Sequence, residues 1–184
     1  MNNSMLLGKY LQTMITYKYF YIAITLIVSF SSFSFAITLP ENEYLTERIK
    51  TISLKKLGTA KHVHLKNEII QKNLVLLFIS HENFESQKII SEIQNIRASI
   101  QNLRVEYFLI SDYDNDLALL SMVQKHVWTV PVLIDEYKIA ASIFNIKSMP
   151  HIIVLKKGNA NISFKTDFSE TGIFDLINHV KSLG

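Results

Sequence analysis

The sequence contains no cysteine. Thiol–disulfide exchange, cysteine nucleophiles, thiolate metal sites and disulfide staples are therefore outside its chemistry. Glycine is scarce, at five residues in 184, and none of the five lies in a phosphate-cradling loop or a Gly-x-Ser-x-Gly elbow. Proline occurs three times while apolar residues make up 48%, a balance that builds a globular core rather than a disordered chain. A basic cluster is also missing. Formal net charge is +3, and residues 1–36 hold Lys9 and Lys18 with no acid, which leaves 17 basic against 16 acidic residues in the remainder. That near balance gives no electrostatic footprint for nucleic acid, which is discounted as a partner. The length suits one well-buried domain plus accessory sequence.

What is present starts with an amino-terminal pattern. A polar, weakly basic stretch through Lys18 gives way to an apolar run over residues 19–30, then to SSFSFA, with small side chains at Ser34 and Ala36. This is the pattern of a secretory signal over residues 1–36, cleaved after Ala36. The rival reading is an uncleaved anchor, because the apolar stretch over 19–36 approaches the roughly 20 residues that span a bilayer. Both readings export the folded part, to the periplasm or held at the inner membrane. An exported domain without cysteine has to hold together by its core alone.

Residues 37–50 are polar with one proline and read as a linker, which leaves 51–184 as the folded domain. Around Gly58, Leu54, Leu57, Val63 and Leu65 alternate with Lys55, Lys56, His62 and His64, as in a hairpin with one wet face. The run LVLLFIS over 74–80 is short, unbroken and bounded by polar residues, which predicts a strand buried on both faces. The period then changes to helical, with Phe84, Ile89, Ile90, Ile93, Ile96 and Ile100 on one stripe. VEYFLIS over 105–111 predicts a second buried strand, and the acidic turn DYDND leads into a helix offering Leu117, Leu120, Met122 and Val123 for burial. VPVLID, the short amphipathic segment KIAASIFNI, the strand HIIVLKK, a turn at Gly158, the strand NISFKT and a last helix with Phe174, Leu176, Ile177 and Val180 complete the order. Strands alternating with helices behind a hairpin predict an α/β fold, a mixed sheet covered on both faces.

The stretch IFNIKSMPHIIVLKKGN combines a short helix, a polar turn, a proline directly before a buried strand and a glycine turn into the next strand. This resembles the thioredoxin superfamily, and more closely its exported branch typified by the TlpA and ResA proteins. In that branch an apolar strand ending in aspartate precedes a short helix with an aromatic near its end, here VPVLID and Phe144. The resemblance runs from about Leu54 to the carboxyl terminus and implies a thioredoxin-like fold. It implies a cis bond at Pro150 that presents the backbone N–H and C=O of Met149 to an extended peptide, which pairs like an added strand.

The family's two cysteines would fall at Asn83 and Ser86, and neither side chain can attack a sulfur. Glu82 and Glu85 flank the position and suit the helix dipole rather than a reactive thiol. The resemblance thus implies a redox-inactive protein that binds a protein or peptide without any cofactor, through a groove formed by Asn83, Phe84, Ser86, Met149 and Pro150. A scaffold role through another surface is the alternative.

His81 and His151 fall near this groove and, with Glu82 or Asp112, could form an acid–base pair or an incomplete metal site; local packing or solvated surface is the reading preferred for them. His62 and His64 share one strand face but lack a third ligand for zinc or copper. Asp112, Asp114 and Asp116 have the spacing of a calcium loop without its glycine and distal glutamate. Trp128 reads as core. No metal and no reductase activity are expected, and the oligomeric state is left open.

Overall fold

The computed structural model describes residues 41–80, 83–99, 104–113, 115–167 and 170–183, which lie in one compact unit. Among these, seven strands form a single mixed sheet: β1 (Ser53–Lys56), β2 (His62–His64), β3 (Asn73–Ile79), β4 (Val105–Ser111), β5 (Val132–Ile134), β6 (His151–Leu155) and β7 (Ile162–Asp167). Their spatial order is β2-β1-β5-β4-β3-β6-β7. β3, β4 and β5 are parallel, and the remaining neighbours pair antiparallel. The helices are α1 (Glu41–Lys50), α2 (Leu65–Gln71), α3 (Phe84–Ser99), α4 (Asp116–Lys125), α5 (Ile139–Ile143) and α6 (Glu170–Ser182).

The strand over LVLLFIS is central, and every residue of β3 is buried. Because successive side chains of a strand point to opposite faces, Leu74, Leu76 and Phe78 join one core while Val75, Leu77 and Ile79 join the other. The first core is closed by Ile49 of α1, Leu65 and Ile69 of α2, and Ala140, Ala141 and Ile143 of α5. The second is closed by Ile89, Ile90, Ile93 and Ile96 of α3, Leu119 of α4, and Leu176 and Val180 of α6, with Trp128 among them. At the margin of the sheet, His179 of α6 stacks on Phe164, and its Nε2 lies 3.0 Å from Ser163 Oγ.

Several expectations are corrected. Residues 41–50 are not linker but helix α1, since Leu45, Ile49 and Ile52 recur at helical spacing and Ile49 is fully buried. The hairpin around Gly58 is present, but the chain beyond His64 turns into α2 because Leu65 and Ile69, four apart, meet the core on one helical face. In α4 the buried residue is Leu119, while Leu117 points to solvent. In α6, Phe174 is likewise outward and Leu176 and Val180 carry the contact.

The end of α4 is strained. Trp128 N–H donates to Val123 O at 3.0 Å and Val127 N–H to Gln124 O at 3.3 Å, the bonding pattern of a Schellman cap. Its left-handed position is filled by Val127, at φ +50°, where a β-branched side chain crowds the backbone. The valine side chain is exposed and no packing offsets the strain. Val127→Gly is expected to raise unfolding free energy by about 1 kcal/mol in urea denaturation. A loss of stability would show that the valine holds something this geometry does not reveal.

Candidate functional site

Because β3, β4 and β5 run parallel, their carboxyl ends at Ile79, Ser111 and Ile134 share one margin of the sheet. Antiparallel β6 begins at that margin, with His151 opposite Phe78. The amino end of α3 and the turn before β6 therefore meet there, and the Met149–Pro150 peptide is cis.

Asn83 joins the two segments. Its Oδ1 accepts from Glu85 N–H at 2.8 Å, which caps α3. Its Nδ2 donates to the backbone carbonyl of Met149 at 3.1 Å. An N–H on one side and a carbonyl on the other fix the orientation of the amide. The N–H of Met149 has no hydrogen-bond partner among the described residues.

Phe84, the first residue of α3, is 79% exposed. Ser86 is buried instead, and its Oγ accepts from Ser80 N–H at 3.3 Å. Pro150 is also buried. These two thus support the turn from within and present no surface to a partner, and what the five-residue groove offers reduces to exposed Phe84 with half-buried Asn83 and Met149.

The floor behind the turn is aromatic. Phe144, the carboxyl cap of α5, meets Phe78 edge to face, with centroids 5.8 Å apart. Lys165 Nζ reaches across from β7 to donate to Phe144 O at 2.7 Å. His151 is buried with its Nδ1 against the Asp167 carboxylate, and neither ring nitrogen has hydrogen-bond geometry to a partner among the described residues. Burial pushes its imidazole below the ordinary histidine range, with Lys165 adding to the effect and Asp167 opposing it. Sequence reasoning had no signal for Lys165 or Asp167, because both reach the site through the register of β6 with β7.

His81, Glu82 and Asp114 lie outside the described residues, so of the two histidines only His151 can be placed. Asp112 pairs with Lys138 at 2.9 Å and Asp116 pairs with Lys55, so these two carboxylates of the acidic turn serve different lysines. His62 and His64 are exposed on β2. Among the described residues no group of three His, Cys, Asp or Glu side chains is placed to hold a metal ion.

No family model matches the sequence, and no curated protein matches it. Solved structures do. A structure of Mtb DsbF in mixed oxidized and reduced forms aligns with TM-score 0.63 at 19% identity, covering 74% of this chain and 98% of that one. A secreted Mycobacterium tuberculosis disulfide oxidoreductase homologous to E. coli DsbE aligns with TM-score 0.62 at 16% identity, over 74% and 98%. StoA from Bacillus subtilis gives TM-score 0.59 at 12% identity, over 70% and 94%. The chain has the thioredoxin-like fold, its structural neighbours include disulfide oxidoreductases, and it has no cysteine.

Proposed function

We propose that this chain is an exported, redox-inactive recognition module that binds a protein or peptide, in envelope assembly or within a larger complex, through the groove between α3 and the turn at 149–150. No cofactor takes part. With no sulfur at the position where the fold's reactive thiols would sit, what the groove retains is hydrogen-bonding backbone and an aromatic side chain.

The observation that carries this reading is Phe84, 79% exposed and directly after the residue that touches Met149. A large aromatic held in water at a groove mouth is the type of side chain that anchors an interface. The Met149 backbone beside it, whose N–H has no partner among the described residues, supplies direction, as strand addition requires. Export rests on the pattern of residues 1–36, and the secreted oxidoreductase among the similar structures supports it. Among the described residues no helix is long and apolar enough to cross a membrane, so in this reading the membrane enters only through the leader, if it is retained.

The test uses the best-binding member of a random dodecapeptide library, titrated against the exported chain by calorimetry. Phe84→Ala should weaken binding by about tenfold while leaving the melting temperature unchanged, since the side chain packs on little. The burial of Ser86 and Pro150 favours a second reading, a scaffold whose partner docks on another face. Equal affinity of wild type and variant would select it.

A further inference from the structure

The Met149 carbonyl is the acceptor that an extended ligand would use, and Asn83 already donates to it. Asn83 Nδ2 sits 3.1 Å from that oxygen. It is an amide N–H, the same type of donor that an incoming strand would bring. The amide is not there by chance of rotation, because its other end is held by Glu85 N–H at 2.8 Å and by the helix that follows. The neighbouring donor on the ledge, the N–H of Met149, is left unpaired among the described residues. One half of the ledge is therefore closed and the other open.

We infer that Asn83 is an internal competitor: its amide imitates the ligand's N–H, keeps the ledge closed at rest, and has to be displaced for an extended segment to pair with Met149. This rests on the reading of the groove as a peptide site. The cap uses Oδ1 and the competitor uses Nδ2, so the two roles sit on different atoms of one amide and can be separated by substitution. Asn83 then sets a threshold, and only a segment that brings its own N–H in strand geometry overcomes it. A ligand whose N–H at that point is absent gains nothing by displacing the amide.

Asn83→Asp separates the two roles. A carboxylate still caps α3 but cannot donate to Met149 O, and it repels that oxygen. Asn83→Ser caps too and is too short to reach, which covers the case in which the aspartate variant folds poorly. Both should bind the selected dodecapeptide about fivefold tighter than wild type, the factor that one net hydrogen bond represents. The gain should vanish for the same peptide N-methylated at the paired position. In wild type, the Asn83 side-chain amide protons should exchange slowly with solvent, and faster once the peptide is added.

If wild type binds the peptide while both variants bind it equally well or more weakly, Asn83 is a contact or a bystander, and this inference falls while the peptide site stands. If neither wild type nor variant binds any peptide of the library, the site itself falls and the inference with it.

Discussion

Asp135→Ala should lower the unfolding free energy by about 3 kcal/mol, two charge-assisted hydrogen bonds partly offset by solvent. Asp135 is buried at the end of β5, and its two carboxylate oxygens accept from Ala140 N–H at 3.1 Å and Ala141 N–H at 2.8 Å. Those donors open α5, a five-residue helix that propagation alone cannot sustain. Lys138, in the N-cap position, sits at φ +53° and its side chain makes no cap bond, so the carboxylate three residues earlier takes that role. Removing it orphans two buried N–H groups. The damage should travel to Phe144 at the other end of the helix and from there to the Phe78 contact and the Lys165 bond. Asp135→Asn, which keeps an acceptor, should recover about half of the loss in urea denaturation. An alanine variant within about 1 kcal/mol of wild type would mean that the cap is dispensable.

The second large effect is alkaline. The Tyr107 phenol is buried on β4 without a hydrogen-bond partner among the described residues. Burial pushes its pKa up from 10.0 to about 12, with Arg97 pulling weakly the other way. Above pH 10 the unfolded chain gives up this proton while the folded chain keeps it, so ionisation favours unfolding. Stability contributed by the neutral phenol is whole below pH 10 and drains away as pH climbs to about 12. Across that interval the loss should reach roughly 3 kcal/mol. Tyr107→Phe should flatten that part of the stability profile. At neutral pH it should be neutral or gain about 1 kcal/mol, since it removes a hydroxyl that has lost water and found nothing. A wild-type profile already flat from pH 10 to 12 would refute the assignment.

How far the sequence could be read depended on the range of each interaction. The strand β3 was legible because six consecutive apolar residues leave a short segment little alternative, and the helix after it because isoleucines at 89, 93 and 96 keep the helical period. The first helix was missed although its signals were local: acids at Glu41 and Glu43, bases at Arg48 and Lys50, and Leu45 spaced four from Ile49. Its overall polarity masked an apolar stripe only two residues wide. At the groove, the sequence placed Asn83 and Met149 together through family resemblance. It could not show the bond between them, which spans 66 positions and depends on how a helix end meets a turn. Nor could it show that Ser86 faces inward. On a helix the phase of one polar residue is set by its neighbours' packing, and Ser86 lies one turn before Ile90, on the buried side.

Lys165 has a role beyond its bond to Phe144. It stands on the outermost strand among the described residues, whose margin would otherwise offer a template to another chain. A strand added beside β7 would have to accommodate an exposed lysine at that position, and the opposite margin is only three residues long with a histidine at each end. A chain that gains no covalent crosslink is most exposed to fibril-like stacking while it folds. Here both flanks of the sheet carry deterrents against it.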